Sequence, residues 1–357
     1  MTNRAPTHTI KILLLAAVIY AEKPALAEED NRGGLAGPVP LRIISPLRLW
    51  FYQFSPERAK TLGKGSWNAR FEYSESNVLH LKNVPATEFN GLLNLEISRF
   101  NFNFRYGISD RWDLGLEIPV YTYHDGFLDG FITDVEGLFG KVKVRRKFKI
   151  DFPFYSLERN LQPFFTLGDD KPTGVGDVTV TAKRILRLRD GWMPALAARG
   201  AIKTPTGDED DAMGSGRADL SLGLAAEYEW RRFGLDANLG STFPLGNRFE
   251  DQGLDTKPIF NGHLGFEYRK SRKWSWHLQF AAMSAPYSFG TSPTPTNVTP
   301  GDKKQFTGAI YQITPAGAWR PRPSTTIFFG FVEDLISSDN SASDFTFFIT
   351  IQYGKAR

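Results

Sequence analysis

The chain has no cysteine. That excludes thiolate catalysis, disulfides and cysteine-type zinc sites, and it avoids unwanted disulfides in an oxidising compartment. Histidine is scarce, with five in 357 residues. His8 lies near the N-terminus, His80 and His124 fall at strand–loop junctions, and His263 and His277 sit on adjacent strand-like runs. Two histidines are too few for a metal centre, so no metal and no cofactor is expected. No apolar run is long enough to cross a bilayer as a helix; Ile12 to Ala21 falls well short. Charge of one sign is also lacking. A net +4 is modest and gives no reason to expect nucleic-acid binding.

Glycine is plentiful instead, aromatics make up 14% and charged residues 23%. This is too polar for a bundle of membrane helices and too aromatic for a disordered chain. The N-terminus reads as a secretory signal over residues 1–27. Arg4 and Lys11 flank the start of the apolar run, and Ala25-Leu26-Ala27 makes a small-residue cleavage site before Glu28. Cleavage there leaves 40 basic and 38 acidic side chains, close to neutral. Residues 28–64 read as an irregular periplasmic or lumen-entering segment, with Pro38, Pro40, Pro46 and Pro56 and one apolar cluster from Leu47 to Phe54.

From Gly65 onward the period changes to two. About twelve strand-like runs follow, near 65–78, 91–107, 110–123, 175–189, 192–204, 215–230, 233–243, 258–269, 273–284, 304–319, 324–336 and 344–353. In the first, Trp67, Ala69, Phe71 and Tyr73 oppose Asn68, Arg70, Glu72 and Ser74. The last opposes Phe345, Phe347, Ile349, Ile351 and Tyr353 to Thr346, Thr350 and Gln352, with Phe348 as an exception. The second slips phase near Ser98–Arg99, which predicts a bulge there.

Connection lengths and aromatics choose between a soluble sandwich and a membrane barrel. Connections after the first run alternate long and short, the longest being 124–174. Trp67, Trp112, Trp192, Trp274 and Trp276 start ascending runs, and Trp230 and Trp319 end descending ones. Such a belt at one end, with short turns there and long loops opposite, belongs to an outer-membrane barrel. The expected fold is all-β: a monomeric, closed, antiparallel up-and-down transmembrane barrel of about twelve strands over 65–353. Residues 354–357 form a short tail.

A family resemblance supports the same fold. Its residues are Tyr106-Gly107-Ile108-Ser109-Asp110-Arg111, Phe127-Leu128-Asp129-Gly130-Phe131-Ile132, Gly174-Val175-Gly176-Asp177, Lys203-Thr204-Pro205-Thr206-Gly207-Asp208, Tyr311-Gln312-Ile313 and Glu333-Asp334. From about Pro38 on, the chain resembles an uncharacterised family of bacterial outer-membrane barrels known only as a domain of unknown function. Its Pro-Thr-Gly-Asp and Gly-x-Gly-Asp elements are similar to those of barrels linked to aromatic-compound catabolism. The resemblance implies a fold and a location rather than an activity.

Alternation directs charges of both signs inward: Arg70, Glu72, Arg105, Glu117, Asp177, Lys183, Arg199, Lys203, Arg217, Asp219, Glu227, Asp236, Glu267 and Arg269, with His263 and His277. They would line a pathway or close it by pairing. The loop 124–174 carries apolar residues at helical spacing, which predicts an amphipathic helix over 127–140. Phe127, Leu128, Phe131 and Ile132 would act as a gate if this helix folds into the barrel mouth; its other expected place is on the outer leaflet. Lys141, Lys143, Arg145, Arg146 and Lys147 would meet lipopolysaccharide phosphates. Outer-membrane lipid, lipopolysaccharide and the barrel-assembly machinery are the expected partners. No serine, histidine and orienting group converge in the sequence, so no catalytic residue is assigned. The expected role is a channel or gated transporter for small or apolar solutes. The alternatives are a surface lipid-modifying hydrolase and a closed structural or adhesive barrel.

Overall fold

The structure is a computed structural model. It describes residues 34–80, 89–124, 126, 128, 130, 132, 134, 154–160, 162–167, 173–289, 306–335, 343 and 345–355. The signal expected at 1–27 lies outside these residues. So do the lipopolysaccharide candidates Lys141, Lys143, Arg145, Arg146 and Lys147, and two of the gate candidates, Phe127 and Phe131.

Seventeen strands appear among the described residues. In chain order they are β1 Trp67–His80, β2 Phe89–Ser109, β3 Trp112–His124, β4 Phe154–Arg159, β5 Gln162–Leu167, β6 Thr173–Val175, β7 Thr179–Arg187, β8 Ala195–Lys203 and β9 Asp219–Trp230. Then come β10 Phe233–Pro244, β11 Leu254–Thr256, β12 Ile259–Arg269, β13 Trp274–Met283, β14 Tyr287–Phe289, β15 Ile310–Arg322, β16 Thr325–Asp334 and β17 Phe345–Lys355. Twelve of them (β1, β2, β3, β7, β8, β9, β10, β12, β13, β15, β16 and β17) form one antiparallel sheet. It closes through the β1–β17 and β2–β3 pairings. Each corresponds to one of the twelve runs in the sequence. β17 runs two residues past Tyr353, so Gly354 and Lys355 belong to the wall and pair with Asn68 and Trp67.

The wall is inside-out relative to a soluble sheet. On β9, Leu220, Leu222 and Leu224 are exposed, whereas Asp219 and Ser221 are buried. Leu222, Leu239 and Phe260 are 58%, 60% and 60% exposed. Bare leucine and phenylalanine recur on strand after strand around the closed sheet, which suits hydrocarbon rather than water. At the end with the short turns, rings pair across neighbouring strands. Trp274 stacks on Trp319 at 6.0 Å, and Trp67 meets Tyr353 at 5.5 Å. These amphipathic rings mark the bilayer interface.

The expected bulge at Ser98–Arg99 is absent; β2 keeps its register with β1 and β3 through both residues, and the shift lies at Gly107–Ser109. The polarity changes there because the surroundings change. Phe100, Phe102 and Phe104 face outward within the apolar band, but so do Glu96 and Ser98 above it. Inward, Asn101 and Asn103 give way to Leu93, Leu95 and Ile97, all buried in an apolar core at the outer end of the barrel. β2 is 21 residues long, about twice what a tilted strand needs to cross a bilayer. Its upper half therefore obeys soluble-protein rules. The long loop also holds more than a helix: β4 and β5 form a hairpin that pairs with the upper part of β2.

Leu239 sits mid-way along β10. Leu239→Arg should destabilise the folded barrel in vesicles by about 2–4 kcal/mol. Equilibrium unfolding of the lipid-reconstituted protein measures this, and an unchanged midpoint would mean that this face does not meet lipid.

Candidate functional site

Residues 34–66 occupy the inside of the barrel as a doubled-back strap. The first arm rises along β12, β15, β16 and β17. Glu267 accepts the Ala36 and Gly37 amides at 2.7 and 2.9 Å, and Val39 and Leu41 pack with Ala316, Ala318, Phe328, Val332 and Phe348. Phe348 thus breaks the alternation of its strand because it faces this apolar arm. A short helix, α1 (Pro46–Leu49), turns the chain at the top, with Pro46 in its first turn where no amide hydrogen is missed. The second arm descends along β7–β10. The two arms are tied together by Gln53, which accepts from the Ile43 amide at 3.0 Å and donates to the Ile43 carbonyl at 2.6 Å. Gly223 and Gly240 are paired neighbours on β9 and β10, and a Cβ on either would strike the Phe54 ring. Two facing glycines thus form the recess for that ring.

Charge fixes the strap to the wall. Glu57 sits among Arg105, Arg199 at 2.5 Å and Lys183 at 3.4 Å. Arg58 binds Glu227 at 2.5 Å and also Glu229; Arg42 binds Glu117. Lys203 is held by Asp177 at 2.6 Å and donates to the Trp50 carbonyl at 2.6 Å, while Asp219 accepts the Tyr52 amide at 2.8 Å. Near Glu57 a cavity of about 10 Å³ remains, lined by Ser55, Arg70, Glu117 and Arg199 among others. That is room for about one water.

Fourteen of the sixteen inward candidates line this filled interior. Arg105 is half-buried, and the others (Arg70, Glu72, Glu117, Asp177, Lys183, Arg199, Lys203, Asp219, Glu227, Asp236, His263, Glu267 and His277) are buried. Arg217 is exposed and faces Glu209 at 3.8 Å, because it precedes the first residue of β9. Arg269 is half-exposed at the rim and donates to the Arg231 carbonyl at 3.2 Å. Alternation assigns a face but not a depth: Arg217 lies off the wall, and Arg269 borders the strap residues Gly34 and Ala36 only at the rim.

Residues 10–355 match the family described as "Protein of unknown function (DUF3187)". The chain belongs to this family. No curated protein matches it in sequence. Among solved structures the chain is similar to the COG4313 outer membrane channel from Pseudomonas putida F1, with 13% identity, 85% of this chain and 100% of that one covered, and a TM-score of 0.55. It is also similar to the NanC porin (6% identity, 80% and 98% covered, TM-score 0.43) and to the CymD monoaromatic hydrocarbon channel (10%, 83% and 89%, 0.36). The first of these likenesses places this family member in the outer-membrane barrel fold.

The gate assignment changes. Leu128 and Ile132 are buried and helical, but the Leu128 amide donates at 2.6 Å to Glu96, whose side chain points outward from the wall. This part of the segment lies against the outside of the rim, not in the mouth. Aromatics close the mouth instead: Trp50 stacks on Tyr155 at 5.9 Å and meets Phe165 at 5.4 Å and Phe249 at 5.6 Å. Arg248 covers all three of Trp50, Phe165 and Phe249 at 5.1–5.3 Å. Trp50 is the one of the eight tryptophans that neither starts nor ends one of the twelve strand runs.

A serine, a histidine and a carboxylate do converge on the outward face. Ser98 Oγ lies 3.0 Å from His124 Nε2, and Glu75 Oε1 lies 2.9 Å from the same nitrogen. A relay needs the serine and the carboxylate on opposite ring nitrogens. Here both crowd one nitrogen, so the imidazole does not link them.

Replacing Glu57 with glutamine would leave Arg199 facing a neutral group and Arg105 and Lys183 sharing Asp113 alone, at 3.2 and 3.4 Å. Breaking one partner of a buried ion cluster costs about 3–5 kcal/mol. In Glu57→Gln, hydrogen exchange at amides of 34–59 should quicken while β9 and β10 keep their protection. Unchanged exchange in the strap would mean that Glu57 does not hold it.

Proposed function

We propose that this protein is a channel of the bacterial outer membrane for small or apolar solutes, with the strap 34–64 as its gate. One observation carries the reading: a separate segment, rather than the wall's own side chains, fills the lumen. A twelve-strand barrel encloses more space than an eight-strand one, which side chains alone can fill. The strap adds no strand to the sheet along most of its length. It is held by ion pairs and side-chain hydrogen bonds, which water can replace as the strap moves out. The aromatic cluster of Trp50, Tyr155, Phe165 and Phe249 at the mouth suits an apolar solute arriving from outside. Both strap ends lie at the short-turn rim, so it can withdraw toward the periplasm without threading.

On this reading the protein is a monomer and not an enzyme, exported with a signal cleaved after Ala27. Insertion by the barrel-assembly machinery and contact between the basic stretch 141–147 and lipopolysaccharide belong to the same proposal. The crowding of Ser98 and Glu75 on one nitrogen of His124 argues against the surface hydrolase.

The absence of native cysteine permits a clean test. Ala59 packs with Ala195, Ala197 and Ala225 where the strap meets β8 and β9. In the double variant Ala59→Cys, Ala197→Cys, oxidation should abolish solute flux and single-channel conductance in planar bilayers, and reduction should restore both. Equal flux from the cross-linked and the reduced protein would remove the strap as the gate. If neither passes ions or solute, the channel itself is refuted.

A further inference from the structure

Glu75, Glu96 and His124 converge on the outward face of β1, β2 and β3, with one ligand atom of each inside a sphere where no two are more than 4.8 Å apart. Pairing places them together: Asn77 opposes Glu96 on β1–β2, and Glu96 opposes His124 on β2–β3. Glu75 is the ninth residue from Trp67 in the rim belt, where a tilted strand of about 9–11 residues completes its crossing. The cluster therefore sits at the outer edge of the bilayer, on the side away from the strap.

Both carboxylates are almost fully buried, at 1% exposure each. Tyr73 and Ser98 donate their hydroxyls to Glu75 Oε2 at 2.6 and 2.5 Å. They leave Glu75 Oε1 turned toward His124 Nε2 at 2.9 Å, yet this buried oxygen makes no hydrogen bond. A metal ion entering between this carboxylate oxygen and the imidazole nitrogen would displace the Nε2 proton, as metal binding to histidine does. Among the described residues Glu75 has no ion-pair partner besides His124. Glu96 is oriented in turn by the Leu128 amide at 2.6 Å. Gly126 stands in the left-handed region at φ +60°, where a Cβ would overlap the Glu96 carboxylate, so the covering backbone comes down onto the cluster.

We propose that Glu75, Glu96 and His124 bind a divalent first-row transition metal, with zinc as the best-fitting ion. One imidazole nitrogen and two carboxylates form a zinc-type ligand set, and the nitrogen disfavours calcium or magnesium. Ligands about 2.0–2.2 Å from one ion stand roughly 3.3–4 Å apart, so Glu75 and His124, at 2.9 Å, would spread slightly around the ion, and all three ligand atoms already lie within 4.8 Å of one another. Hydroxyls on the far oxygen of Glu75 supply the outer-shell orientation such sites use. The position gives the ion a structural task. Glu96–His124 is the outermost β2–β3 pair, and two residues further, from Asn94, β2 pairs with β4 instead. The metal would pin the fork where the barrel seam ends, and clasp the segment that starts at Gly126 against it.

The test uses the full chain without a histidine tag, stripped with EDTA in detergent and titrated calorimetrically with Zn²⁺. One equivalent should bind, Co²⁺ should occupy the same site with a visible d–d band, and Ca²⁺ should not compete. His124→Gln and Glu75→Gln should abolish the site. Tyr73→Phe, which only loosens Glu75, should weaken zinc roughly tenfold or more. Asp210→Asn, in the exposed acidic rim, should leave it unchanged. Heat-modifiable gel mobility verifies that each variant is folded. Zinc bound equally by wild type and a folded His124→Gln variant would overturn the proposal, as would loss of binding on Asp210→Asn, or tighter binding of Ca²⁺ than of Zn²⁺.

Discussion

Hydrocarbon offers no water to an unpaired strand edge, so a sheet in a bilayer has to close on itself. The β1–β17 pairing, eleven residues long, meets that constraint here. The rest of the structure follows from it. Closure at twelve strands sets the lumen width, and the width leaves room for a doubled-back segment. Inward-facing residues then have two kinds of neighbour, charge or apolar strap, and their chemistry follows the neighbour. Glu117, Lys183, Arg199 and Glu227 face strap charges, whereas Phe328, Val332 and Phe348 face Val39 and Leu41.

Charge in a low-dielectric interior is costly unless paired. The strap and wall satisfy this jointly, as Glu57 among three wall cations makes plain. Neither surface is well satisfied alone, so displacing the strap must admit water to the wall charges. This couples any opening of the lumen to its hydration. A segment held by paired charges can remain ordered when closed and still be displaced without unfolding a strand.

The upper third of the molecule obeys different rules from the lower two thirds. Below, apolar residues face out and polar ones in. Above the bilayer the order reverses, with Leu93, Leu95 and Ile97 inward and Glu75, Glu96 and Ser98 outward. The same strand crosses the boundary without a register break. A phase slip in a hydrophobic pattern can therefore report a change of solvent rather than a bulge. The outward polar cluster of β1–β3 exists because the strands outgrow the membrane there and are then covered by more chain.

The sequence by itself determined the wall: twelve runs of period two, the belt at one end, the alternation of long and short connections, and which side chains point inward. These are local, because side-chain direction in a strand depends only on position parity. It also marked Phe348 and Trp50 as exceptions without explaining them. Only the tertiary structure decided what those exceptions touch, that the strap fills the lumen, that Arg217 lies outside it and Arg269 at its rim, and that β4 and β5 form a hairpin. It also decided that Glu75, Glu96 and His124, on three different strands, meet. Contacts between distant segments depend on register, depth and loop path, and parity encodes none of these.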